Sequence, residues 1–344
     1  MAKYCKDVHT GITAQDHSAA DSSLSAALIL IACILFLAIA PAAFSQSSAP
    51  DRGQESASSA GSVNDVLELP ANSSSPEFDK GSVQFIGNAT VIIRYAGFTI
   101  LTDPNFLHKG DHVHLGYGLK SKRLTEPAIS LDKLPPIDLI VLSHFHGDHF
   151  DQLVQEKLGR NIPIITTDAA SKELEKLGFK SRHAMSKWSK LTVKKGNAQL
   201  RITSTPARHG PPGAAVALPE TMGSMLEFAK QDGGATYRMY ITGDTLVYDE
   251  IHDIPKRFPD IDLALLHLGG TKILKTVLIT MDAEQGVRML KIVAPQHAIP
   301  IHYNDYDVFK SSIEDFEREV NAAGMKNKIT YLKHGETYTF RQKK

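Results

Sequence analysis

Apolar and polar residues fall into short runs over the central part of the chain. Ser82–Gly87 (SVQFIG), Thr90–Tyr95 (TVIIRY) and Phe98–Thr102 (FTILT) are β-rich and separated by Gly and Asn, which predicts a meander of short strands. Ile137–Leu142 (IDLIVL) is a continuous apolar run, the pattern of a strand buried on both faces. Asp151–Leu158 and Ala169–Leu177 read as helices, the second closed by Gly178, with a strand at Ile162–Thr166 between them. Further strands are predicted at Leu191–Lys195, Leu200–Ser204, Ser224–Ala229, Thr236–Thr242, Leu263–Leu266 and Ala298–Ile301. Helices follow at Asp282–Ile292 and Ser312–Ala323, then a terminal strand pair, Ile329–Lys333 and Thr337–Arg341. A meander followed by mixed strands and helices predicts an α/β fold. The expected form is an αββα sandwich over residues 81–344, two mixed sheets with helices on their outer faces.

The N-terminal pattern differs. Ala26–Ala40 is an uninterrupted apolar run of 15 residues, followed by Pro41-Ala42-Ala43-Phe44-Ser45. A bilayer span needs about 20 residues, so residues 1–45 are read as a signal peptide, with a membrane anchor over 24–45 as the alternative. Lys3 and Lys6 are offset by Asp7, Asp16 and Asp21, which weakens the positive leader that a signal peptide normally carries. The chain is accordingly expected outside the cytoplasm, periplasmic or secreted, touching membrane only through this segment. Residues 46–80 are rich in Ser, Ala, Gly and Pro and are expected to form a disordered tether, since they offer little apolar surface to offset ordering.

Composition narrows the function classes. With 42% hydrophobic residues the chain can bury a full core, and its formal net charge of zero leaves no basic run for a phosphate backbone. Nucleic acid is not an expected partner; a small-molecule substrate is. The two cysteines, Cys5 and Cys33, precede the predicted domain, which excludes a disulfide framework, thiolate zinc ligands or a cysteine nucleophile there. Oligomeric state is not legible.

The chemistry gathers where predicted strands end. Directly after IDLIVL the chain places His144, His146, Asp148 and His149 within six residues, in Ser143-His144-Phe145-His146-Gly147-Asp148-His149. A loop leaving a strand edge can turn several side chains inward, and imidazole nitrogen with carboxylate oxygen is the donor set of catalytic zinc, iron or manganese. Gly147 is read as the residue that lets the loop bend. His209, Asp244 and His302 each follow a predicted strand and complete the set.

The ordered series Thr102-Asp103-Pro104, Ser143–His149, Arg208-His209-Gly210, Thr242-Gly243-Asp244-Thr245 and Ile301-His302 resembles the five motifs of the metallo-β-lactamase superfamily. Leu134-Pro135-Pro136-Ile137-Asp138 further resembles the branch of ascorbate-phosphate lactonases and N-acylethanolamine phospholipases. The resemblance implies two divalent metal ions, zinc, iron or manganese. His144, His146 and His209 would hold one, Asp148, His149 and His302 the other, and Asp244 would bridge them. Two such ions about 3.5 to 4 Å apart would make hydroxide available near pH 7 to attack a small ester, lactone or phosphodiester.

Asp148, Asp244 and His267 are expected to take part in catalysis. His267 is read as a proton donor to the leaving group, or else as a core or capping histidine. Asp103 is expected behind the metal loop, accepting hydrogen bonds from a ligand or its backbone. His108, His112 and His114 fall in the loop Phe106–Leu119, either covering substrate or simply exposed. Two other readings share the fold. A ribonuclease-Z-like nuclease predicts basic surface, which the neutral charge opposes. A non-hydrolytic metal or redox module requires an electron-delivering flavin domain, and none is expected after residue 344.

Overall fold

A computed structural model of the chain describes residues 65–71, 76–116, 118–231 and 233–341. The expected signal segment, and the tether as far as residue 64, lie outside the described residues. No helix among the described residues is long and apolar enough to cross a membrane.

Two seven-stranded sheets form the centre. The first runs in the order β18 (Thr337–Arg341), β2 (Lys80–Gly87), β3 (Thr90–Tyr95), β4 (Phe98–Thr102), β7 (Leu139–Val141), β8 (Ile164–Thr167), β9 (Arg182–Met185). The second runs β1 (Asp65–Leu69), β10 (Lys190–Lys195), β11 (Ala198–Thr205), β12 (Gly223–Lys230), β13 (Ala235–Ile241), β14 (Leu263–His267), β17 (His297–Ile301). Two short ribbons stand apart, β5 (His112–His114) with β6 (Lys120–Lys122), and β15 (Lys272–Ile273) with β16 (Val277–Leu278).

The side-chain alternation of the strands divides the core into three layers. Val91, Ile93, Ile100 and Val141 of the first sheet meet Leu200, Leu226, Met239 and Leu265 of the second between the sheets. Ile92, Leu101, Ile140 and Ile164 point the other way, against Val154 of helix α1 (Gln152–Lys157) and Leu174 of α2 (Asp168–Lys176). Tyr240, Leu266 and Ala298 face outward on the second sheet. There they meet Leu290 of α5 (Ala283–Val293) and Phe316 of α6 (Ile313–Ala322), which follow the short α3 (Pro212–Ala215) and α4 (Asp253–Arg257). This is the αββα sandwich. Helices α1, α2, α5 and α6 begin at side-chain caps: Asp151, Thr167, Asp282 and Ser312 each accept a backbone N–H, contributing on the order of 1 kcal/mol apiece.

Two boundaries differ from expectation. The tether was expected to reach residue 80, but Asp65–Leu69 pairs in parallel with β10, turning Leu67 and Leu69 onto the inter-sheet core. Phe78 is buried too, and its carbonyl accepts the Tyr95 hydroxyl at 2.9 Å. A few alternating apolar residues suffice once an edge strand waits to be paired. Conversely, Ile329–Lys333 is no strand: it makes one bridge, Ile329 to Ala298, while Tyr303 Oη donates to the Leu332 carbonyl at 3.1 Å.

Candidate metal centre

Strand order explains why distant residues meet. β4 and β7 are parallel neighbours with Thr102 opposite Val141, so both chains leave the sheet side by side, as Asp103 and as the loop Leu142–Asp151. In the second sheet β13, β14 and β17 are parallel, and Asp244, His267 and His302 stand at or just beyond their C-terminal ends, the edge where such sheets place their ligands. His209 follows β11. Asp151 anchors the loop's far end. Its carboxylate caps α1 through Val154 N at 2.8 Å and also accepts the backbone N–H groups of Phe106 and Leu107.

The seven expected donors converge. His144, His146 and His209 form one group with ligand atoms within 4.8 Å of one another; Asp148, His149 and His302 form a second; His144, His149 and Asp244 form a third that joins them. Asp244 lies between the first two, its Oδ2 3.3 Å from His149 Nε2 and 3.8 Å from His209 Nε2, and its Oδ1 3.6 Å from His302 Nδ1. Six of the seven are buried; His146 alone is partly exposed.

In two of the imidazoles one ring nitrogen is tied to a backbone carbonyl. His209 Nδ1 donates to the Ile279 carbonyl at 2.8 Å and His302 Nδ1 to the Leu268 carbonyl at 3.1 Å. A carbonyl can only accept, so both protons sit on Nδ1 and both Nε2 lone pairs face the centre. His149 Nδ1 lies 3.2 Å from Asp103 Oδ2, which fixes that ring in the same sense. Burial, then His149 and His146, hold His144 well below the ordinary imidazole range, and burial, then His209, brings His146 to about 3. Burial disfavours charge on Asp148, but His149 and His302 outweigh it and hold the carboxyl at about 2. Burial likewise opposes charge on His149 and His302, yet the facing carboxylates, Asp244 first, raise both. The carboxylates thus draw positive charge into the cluster.

Three buried atoms test whether the set suits a metal. Asp148 Oδ1, Asp244 Oδ1 and His149 Nε2 make no hydrogen bond, although the last lies near Asp244 out of line for one. Buried polar atoms are seldom left unpaired. Other buried atoms among the described residues are unpaired too, but these three share one nitrogen and oxygen cluster, where a metal would supply the missing partner.

The remaining expected residues fall as follows. Asp103 stands behind the loop at φ 33°, accepting Ser143 N at 2.6 Å, Ser143 Oγ at 3.0 Å and the two imidazoles of His149 and His267. His267 is fully buried, its Nε2 3.2 Å from Asp103 Oδ2 and its Nδ1 3.2 Å from Thr242 Oγ1. Both ring nitrogens are engaged by protein groups, the arrangement of the core-histidine alternative. The strand that carries it ends inside the core, and the ring holds Asp103 in place. His108 is exposed and paired with Glu126 at 3.0 Å, while His112 and His114 lie on β5. Gly147 is needed for a different reason than bending: a Cβ there would stand 2.5 Å from the His114 carbonyl, because the β5–β6 ribbon lies across the loop. Gly243 does require a backbone freedom, at φ 61°.

Nothing in the sequence pattern marks the support beneath the loop. Asn88 Nδ2 donates to the Asp148 carbonyl at 2.6 Å, and Asn105 Nδ2 to the Gly147 carbonyl at 3.2 Å. Both asparagines rest on one buried cluster. Asn88 N donates to Asp305 Oδ2 at 2.7 Å, Asn105 Oδ1 accepts from Arg123 and Tyr306, and Arg123 stands 3.9 Å from Asp305. Arg123 is wholly buried.

This geometry agrees with the comparisons to known proteins. The UPF0173 protein YddR of Bacillus subtilis is 26% identical over 265 residues, covering 74% of this chain and 98% of its own length. A UPF0173 metal-dependent hydrolase of Archaeoglobus fulgidus is 29% identical over 210 residues, covering 59% of this chain and 82% of its own. An isothiocyanate hydrolase from Delia radicum gut bacteria shares the fold, with a TM-score of 0.64 at 20% identity over 76% of this chain and 99% of its own. The family model described as the beta-lactamase superfamily domain matches residues 99–303, more than half of the 344. That span runs from β4 to just past His302 and takes in all seven donors, so the chain belongs to the beta-lactamase superfamily.

Proposed function

We propose that this metal-dependent hydrolase works with two divalent ions, zinc, iron or manganese, and cleaves a small ester, lactone or phosphodiester. His144, His146 and His209 would hold one ion and Asp148, His149 and His302 the other, with Asp244 shared. The observation that carries the reading is the trio of unpaired buried atoms on Asp148, Asp244 and His149 inside that donor set. When bound, the ions supply Lewis-acid polarisation and a water of low pKa.

The chain's own residues do the rest. Ile279 and Leu268 carbonyls keep the His209 and His302 lone pairs aimed inward, and Asp103 orients His149. Asp148 and Asp244 bring negative charge that holds cations. Asn88 and Asn105 fix the backbone of the loop that carries His149 and two further imidazoles. No serine or cysteine nucleophile is required. Export by residues 1–45 remains part of the proposal, and fractionation of expressing cells tests it.

A panel of p-nitrophenyl esters, lactones and bis-p-nitrophenyl phosphate, assayed on the full chain before and after chelation, checks the activity. Turnover of at least one class is expected, lost with chelator and restored by zinc, iron or manganese. Turnover insensitive to chelation, or none after reconstitution, contradicts it.

A further inference from the structure

A cavity of about 560 Å³ opens beside the cluster, within the range of small-molecule sites. His146 forms part of its wall. His146 is also the one partly exposed donor of the seven, so this cavity reaches the donor set at its most open point. The β5–β6 ribbon supplies Leu115, the metal loop Phe145, and the segment after α3 supplies Val216 and Leu218. No lysine, arginine, aspartate or glutamate lines it. Its two glutamines are neutral and already donate inward, Gln152 Nε2 to the His112 carbonyl and Gln155 Nε2 to the Phe150 carbonyl, each at 2.8 Å. Val216 is 89% exposed at its rim. With Leu115, Phe145 and Leu218 it makes one contiguous apolar lining beside the metal site, which favours an apolar guest.

Two cations on the His209 side are turned elsewhere. Arg208 and Lys187 line a separate cavity of about 280 Å³ on the His209 side. The Arg208 guanidinium lies over the Tyr248 ring at 4.1 Å, and Lys187 pairs with Glu250 at 2.7 Å.

We propose that the larger cavity seats an uncharged apolar acyl or alkyl group of the substrate, with Leu115, Phe145, Val216 and Leu218 as the walls that set specificity. The inference rests on the metal-hydrolase reading above and narrows it to a neutral ester or lactone with an apolar arm. A continuing polyanion such as a nucleic acid finds no lysine or arginine in that lining.

Alkyl hydroxamates test it by binding, without turnover: each carries the same chelating head on a tail of chosen length. Titrated calorimetrically into the zinc-loaded full chain, the series from acetyl to octanoyl should tighten by about fourfold per methylene until the cavity is filled. A hydroxamate ending in a carboxylate should bind more weakly than its alkyl counterpart of equal length. Val216→Lys, at an exposed position that leaves the fold intact, should keep acetohydroxamate affinity while cutting the hexanoyl gain by roughly tenfold. It should also reverse the preference between the two tails. Affinity independent of tail length, or tighter binding of the anionic tail to the unaltered protein, overturns the apolar assignment and leaves the metal centre standing. Failure of acetohydroxamate to bind at all overturns the metal centre, and this inference with it.

Discussion

Single residues at the centre divide by the neighbours that hold them. His144, His146, Asp148, His149, His209, Asp244 and His302 face one another, whereas His267 and Asp103 face their backs. A carboxylate that orients a ligand is commonly needed for metal affinity at the level of about 10- to 100-fold. His267→Ala should therefore weaken binding of the second ion by that amount, with the rate recovering as metal is raised to saturation. An unchanged metal titration with a rate that stays low at saturation would mark His267 as a proton donor. The donors themselves were legible because six residues after an apolar strand held four of them. Arg123 was not, since an arginine reads as surface until tertiary contacts bury it, and neither asparagine differs in sequence from a turn residue.

Between elements, the decisive contact joins the loop after β17 to the segment after β6 and the approach to β18. Asp305 accepts the Asn88 N–H and the Thr125 hydroxyl, stands by Arg123, and lies 3.1 Å from His334 Nε2. Burial disfavours charge on His334, but Asp305 outweighs it and raises the imidazole; burial disfavours charge on Asp305, but His334 and Arg123 lower the carboxyl. His334 Nδ1 meanwhile donates to the Glu126 carbonyl at 3.0 Å. A raised imidazole stabilises the fold fully below its unfolded value, near pH 6.5, and loses that contribution as pH climbs through the folded value. The Tm difference between the unaltered chain and His334→Gln should be largest near pH 5.5 and shrink by pH 9. A difference that grows with pH would place the proton elsewhere. Asp305 acts in the opposite sense, its contribution present above its unfolded value and lost in acid. The short β5–β6 ribbon was illegible for a related reason: His-Val-His and Lys-Ser-Lys carry no apolar alternation, and their pairing follows from the metal loop beneath them.

For the whole molecule, the sandwich was largely legible, because strands buried on one or both faces and amphipathic helices carry their periods openly. Its N-terminal limit was not, since five residues at Asp65–Leu69 gain order only from the β10 edge. Removing residues 1–64 should leave Tm within about 2 °C of the full chain. Removing residues 1–80 also strips β1 and Phe78 and should lower it by roughly 5 to 10 °C, at about 2 to 4 °C per kcal/mol for a domain of this size. Equal melting of the two truncations would return residues 65–80 to the tether. The central claim, a shared two-ion centre, is tested most directly by metal stoichiometry. Elemental analysis of the reconstituted full chain should find two ions per molecule, falling to one or fewer in Asp244→Ala with turnover reduced at least about 100-fold. Two ions and full turnover in that variant, or a single ion in the unaltered protein, would contradict it.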